Sequence, residues 1–136
     1  EPMGWFVGWA AAGCHPATMG IGPVPAVQRL FERTGMNWDR IDLVELNEAF
    51  ACQVLAVLKG WGWHDDSRLN VNGSGISLGH PIGATGVAQL VEVVWQLQGV
   101  CGERQVPGDK VGLTHNGGGF GPGNAPGAMS ITIVKT

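Results

Sequence analysis

Charge is in short supply in this sequence. Only 14% of its residues are Asp, Glu, Lys or Arg, against about a quarter in typical soluble domains. The net charge of −3 offers no basic surface, so neither nucleic acid nor a membrane is expected as a partner. Long apolar runs are missing too, none approaching the roughly 20 residues that span a bilayer. The three cysteines, Cys14, Cys52 and Cys101, are odd in number, far apart and without a Cys-x-x-Cys pair. That excludes a zinc or disulfide framework and points to a reducing compartment. His15, His64, His80 and His115 are scattered, with no i, i+4 pair, so no metal site is expected. There is no Gly-x-Gly-x-x-Gly after a strand and no Gly-Lys-Ser/Thr, which argues against a nucleotide phosphate site. The opening Glu1 to Trp5 has no basic stretch ahead of an apolar one and does not read as a secretory leader. The expected location is the cytoplasm. Glu1, not methionine, stands first, which suits a piece of something longer or a processed product.

Apolar surface and glycine are what the sequence does hold. Its hydrophobic fraction is 44% over 136 residues, enough for a real core and for one domain at most. With so little charge to clothe an independent surface, a large buried interface is expected. Gly4 to Ala12 reads as a buried strand and Gly13 to Gly22 as a loop. Pro23 suits an early helical position, and Val24, Val27, Leu30 and Phe31 share one helical face until Gly35 stops it. Ile41 to Leu46 is a short apolar strand. A second helix is expected from Asn47 to about Lys59, with Gly60 as its stop. Trp61 to Asp66 reads as a surface loop and Asn70 to Asn72 as a short strand.

A third helix is expected from about Ala84 to Gln98. Its apolar residues cover most of its circumference, so it must be buried on more than one side. Lys110 to Thr114 and Ala128 to Lys135 read as closing strands joined by the glycine-rich His115 to Gly127. This alternation implies an α/β fold with a mixed, mainly parallel five-stranded sheet and helices on both faces. Ligands in such sheets sit beyond the carboxyl ends of the strands. The loops at that edge are those around Asn47, His80 and His115.

Leu69 to Gly86 packs five glycines around His80, just ahead of the most apolar helix. Glycine adopts backbone angles closed to other residues, so the loop can hold one imidazole beside a ligand. The helix start behind it adds free N–H groups and partial positive charge, a setting that stabilises an oxyanion.

Four segments in order resemble the C-terminal half of the thiolases. Asn47-Glu-Ala-Phe50, Gly79-His80-Pro81 and His115-Asn-Gly117 look like the family's three active-site loops. Met19-Gly-Ile-Gly-Pro23 resembles a loop bordering the pantetheine arm of coenzyme A. The resemblance covers residues 1–136 and is of the acetyl-CoA acetyltransferase kind. It implies one half of the duplicated thiolase fold, with the N-terminal half as partner, on the same polypeptide or a separate chain. It also implies a homo-oligomer, an acyl-CoA thioester as substrate, and no cofactor. His80 would then serve the oxyanion and help to activate the nucleophile, and Asn47 would hold a water in the same pocket. The Gly117 N–H would serve a second pocket, while Met19, Ala49 and Phe50 would line the pantetheine channel.

Two departures follow from the same comparison. The family's nucleophilic cysteine lies in the N-terminal half, so this chain alone is expected to be inactive. The acid/base cysteine of the Cys-x-Gly loop is replaced by His115, as in sterol-carrier-type and archaeal-type members. Those members regain a cysteine from the Asn47 loop, where Ala49 stands here. Gly121 to Gly127 is also longer than the usual turn. Neutral histidine is a competent base at pH 7, and His115 is a candidate for the substrate α-proton. A retro-aldol lyase on a β-hydroxyacyl thioester is an alternative, as is a non-catalytic binding or assembly partner. An isolated half should self-associate or bind a hydrophobic dye; a monodisperse monomer that binds none would contradict this reading.

Overall fold

The computed structural model describes residues 2–120 and 126–136; most of the long turn at 121–127 lies outside them. Strand β1 (Trp5–Ala12) leads through a short 3-10 helix to α1 (Pro23–Thr34), followed by β2 (Leu43–Leu46) and α2 (Ala51–Trp61). A one-turn helix α3 (Gly75–Leu78) precedes α4 (Thr85–Gln98), and β3 (Val111–Phe120) and β4 (Pro126–Lys135) complete the order. The sheet order is β1-β4-β3-β2.

The sheet is mixed, but with four strands rather than five and without a parallel majority. Strands β1, β2 and β3 share one direction, yet β4 lies between β1 and β3 and runs against both. Only the β2–β3 pair is parallel. The expected strand at Asn70–Asn72 is reduced to a single bridge between Val44 and Leu69. Asn70 turns away at φ 49° and its side chain replaces the ladder. Its Oδ1 accepts from the Leu46 N–H at 2.7 Å and its Nδ2 donates to the Leu46 carbonyl at 2.9 Å.

Helix α1 starts on Pro23 and ends on Gly35 at φ 68°, a left-handed cap that glycine adopts without strain. Ala26, Val27 and Leu30 meet Val44, Leu46, Leu113 and Ile133 in the larger core. Arg29 and Arg33 reach back from α1 to the carbonyls of Ala11 and Trp9 on β1 at 2.9 and 3.2 Å. Helix α2 begins at Ala51, not Asn47: the Asn47 N–H is held by the His115 carbonyl, the Ala49 N–H turns back to the Asn47 carbonyl at 3.2 Å, and Phe50 is extended. It runs past Gly60 to a left-handed cap at Gly62. Gly60 is there for packing: a Cβ on it would stand 2.6 Å from Val24 Cγ2 of α1. Helix interiors normally gain from Gly→Ala, but Gly60→Ala should lose about 1–3 kcal/mol through overpacking, read as a lower midpoint of urea unfolding. Nor is Trp61–Asp66 a simple surface loop. Trp61 and Trp63 are buried against Trp38, with ring centroids 4.9 and 4.7 Å away.

Helix α4 packs on the other face of the sheet, where Val93 and Leu97 join Leu43 and Val134. Its sidedness is inverted. Gln89, Glu92 and Gln96 are buried against the domain, while Val87 is 63% and Trp95 47% exposed, and Leu90 and Val91 are exposed beside them. Trp5 and Trp9 of β1 are exposed too. Apolar patches of this kind mark surfaces that meet a partner.

Candidate active site

The parallel register of β2 and β3 sets Leu46 opposite His115, and the Asn47 N–H donates to the His115 carbonyl at 3.2 Å. Two of the expected site residues are thus neighbours across the β2–β3 ladder, Asn47 at the carboxyl end of β2 and His115 midway along β3. His115 lies within β3, not in a loop, and Gly117 lies two residues further along the same strand, opposite Met129 of β4. His115 is 2% exposed, and neither ring nitrogen has a hydrogen-bond partner among the described residues. Burial alone, with no contribution from a second histidine, pushes its pKa down to about 4. The ring is therefore neutral at pH 7.

Asn47 is buried as well, and its Oδ1 has no partner among the described residues. The glycine-rich segment is tied to it. Ser74 Oγ accepts from the Glu48 N–H at 3.2 Å and donates to the Leu46 carbonyl at 3.0 Å. A Cβ on Gly75 would stand 2.7 Å from the Glu48 carbonyl and 3.2 Å from Asn47 Oδ1, so only glycine fits there.

His80 follows Gly79, whose φ is 83°, and it is exposed. Its Nδ1 lies 2.8 Å from Thr85 Oγ1, and the Thr85 hydroxyl also donates to the Pro81 carbonyl at 3.2 Å. With the hydroxyl proton directed at Pro81, the neutral ring is the donor at Nδ1, leaving Nε2 with its lone pair free. Thr85 escaped the sequence reading; its place five residues after the histidine, at the helix start, was the available signal. One residue on, a Cβ at Gly86 would stand 2.8 Å from Asn116 Nδ2. The start of α4, with His80 hydrogen-bonded to it, therefore sits against β3 at Asn116.

Met19, Ala49 and Phe50 are not core residues. Phe50 is 69% and Met19 46% exposed, and Ala49 is exposed. The 3-10 helix that carries Met19 lies against α2, where a Cβ on Gly20 would stand 3.0 Å from Gln53 Cγ. Phe50 is the residue that precedes that same helix. Cys52 is exposed and Cys14 partly so. Cys101 is buried near Glu92, and burial first, then Glu92, pushes its thiol up. Among the described residues no three His, Cys, Asp or Glu side chains form a metal-binding group.

An α/β domain with a mixed four-stranded sheet, Asn47 just past β2, His115 on the adjacent β3 and His80 ahead of α4, belongs to the thiolases. The family model described as the C-terminal domain of thiolase matches residues 1–125, and the chain is a member of that family. It is 44% identical over 99 residues to an acetyl-CoA acetyltransferase of Syntrophomonas wolfei, covering 72% of this chain and 25% of that protein. Against the beta-ketothiolase BktB of Cupriavidus necator it is 48% identical over 102 residues, 75% of this chain and 26% of that one. The chain thus spans about a quarter of the length of these curated relatives. The crystal structure of human mitochondrial 3-ketoacyl-CoA thiolase in complex with CoA aligns with a TM-score of 0.83 and 34% identity, covering all of this chain and 31% of that one. A Bacillus anthracis acetyl-CoA acetyltransferase gives 0.82 and 35%, covering 99% and 31%.

Proposed function

We propose that this chain is the C-terminal part of an acyl-CoA acyltransferase that forms or cleaves a β-ketoacyl-CoA. The observation that carries the reading is the backbone hydrogen bond joining Asn47 to His115, whose neutral ring, like Asn47 Oδ1, is buried without a partner among the described residues. Such a pair is suited to moving a proton and holding an oxygen at one carbon centre. The inverted face of α4 supports a covering part of the protein, which would supply the nucleophilic cysteine. This chain alone is then inactive.

His80 Nε2 takes the thiol proton as the cysteine attacks the thioester. The resulting Nε2–H donates to the oxyanion, and its proton passes to the coenzyme A thiolate as the thioester C–S bond breaks. Preorganised donors of this kind usually supply the largest share of rate enhancement. Thr85 fixes the ring for both roles. His115 takes the α-proton of the second thioester, and its depressed basicity rises as negative charge develops beside it. Asn47 holds a water against the enolate oxygen, the Gly117 N–H serves the tetrahedral intermediate, and Phe50, Ala49 and Met19 flank the pantetheine arm. The exposure of Phe50 and Met19 suits residues that meet a ligand.

The test uses the intact protein. His115→Ala is expected to abolish exchange of the acetyl-CoA α-protons with deuterated water, followed by NMR, while acylation of the cysteine persists. Unchanged exchange would remove His115 from the chemistry. The place of His115 where the family carries an acid/base cysteine keeps the retro-aldol lyase as a second reading, and a covering part without a nucleophilic cysteine would select it.

A further inference from the structure

A cavity of about 400 Å³ lies behind the histidine loop, between segment 72–81 and α4. Leu78, Val91 and Trp95 form its apolar wall, and Glu45, Gln89 and Glu92 its polar one. Glu92 is matched: Arg104 reaches its two oxygens at 3.2 and 3.1 Å. The other two are not. Among the described residues Glu45, 3% exposed, has no partner for Oε1, and Gln89, 5% exposed, has none for either amide atom. Buried polar atoms are nearly always met by something, and each unmet one is costly.

The missing complement can be read from the chemistry. Glu45 Oε1 and Gln89 Oε1 are acceptors, and Glu48 and Glu92 add negative potential at Glu45. Gln89 Nε2 adds a donor, but the carboxylates around Glu45 disfavour an anion there, and a donor-rich cation fits the two acceptors. Burial holds the Glu45 carboxyl up at about 8 in this chain; a cation beside it would draw it into the ionised form. Val91 and Trp95 belong both to the cavity wall and to the exposed apolar face of α4, so whatever covers that face also closes the cavity.

We infer that the cavity is a socket for one lysine or arginine side chain carried by the polypeptide that packs on α4. Its charged head pairs with Glu45 and donates to Gln89 Oε1, and its aliphatic stem lies along Val91 and Trp95. This inference rests on the reading that such a covering part exists.

The test is made on the protein purified intact from its source. Its mass comes first, because a protein no larger than this chain overturns the covering part itself. Given a covering part, a crystal structure of the intact protein should place a lysine or arginine nitrogen within hydrogen-bond reach of Glu45. Water, a metal ion or an apolar side chain in that place overturns the socket while leaving the covering part standing. In solution, Glu45→Gln should weaken the hold of the covering part by about tenfold, read as chain dissociation or, for one polypeptide, as separation of its two unfolding transitions. An unchanged hold also overturns the socket.

Discussion

Replacing His80 by alanine in the intact protein is expected to lower kcat by about 10²–10³-fold, the range for loss of one preorganised oxyanion donor. The fold should not notice. His80 is exposed and its side chain makes a single hydrogen bond, to Thr85, so the melting temperature should stay within a degree or two of the parent. KM should move little, because the donor acts on charge that appears after binding. Steady-state kinetics together with a thermal melt separate these outcomes. A fall in melting temperature that matched the loss of rate would mean that the histidine loop is structural.

The second large effect is on stability. His115 is held neutral by burial, with its pKa moved from 6.5 to about 4. Above pH 6.5 neither folded nor unfolded chain binds a proton there, so the full stability is present. Between pH 6.5 and 4 the unfolded chain takes up a proton that the folded chain refuses, and stability falls. The loss amounts to about 3 kcal/mol by pH 4. Glu45 works in the opposite sense: its pKa is raised to about 8, so its contribution grows as pH falls through that value. Asp109, raised to about 6 by burial and by Asp42, does the same at lower pH. The parent profile alone will therefore look flatter than any one group. The informative quantity is the difference between parent and His115→Phe, by urea unfolding from pH 7 down to pH 4. That difference should shift by about 3 kcal/mol in favour of the variant. A difference independent of pH would mean that the imidazole is not held neutral by its surroundings.

Part of the backbone was legible because its signals are local. The spacing of glycines around His80 and the left-handed cap at Gly35 are consequences of backbone geometry that the sequence states directly. What was not legible depends on residues far along the chain. Asn47 has the side chain of a helix N-cap, but its N–H is engaged by His115 across the β2–β3 ladder, so the helix waits until Ala51. Gly60 resembles a stop signal until α1 arrives with Val24 against it. The strand expected at Asn70 is lost to the hydrogen bonds of its own side chain. For α4, apolar residues all round leave the choice of inner face open. That choice is made by Gly86 and Gly112, which let the helix come down on Asn116 and β3 through Val93. Gln89, Glu92 and Gln96 are carried inward as a result, and so the polar cavity wall could not be foreseen.

The place of β4 between β1 and β3 also shapes how the chain acquires its structure. As the polypeptide emerges from the ribosome, β1 is the first of these elements made, and its sheet neighbour is the last. The pairing of Trp5 with Lys135 closes a loop of nearly the entire domain, the kind of contact that slows folding. Until Pro126–Lys135 is released, an aromatic-rich strand waits without its hydrogen-bonding partner, covered only by α1 and the two arginines that reach its carbonyls. The nascent domain is therefore exposed to misassembly until Pro126–Lys135 has been made, and that segment is what commits it to the native sheet.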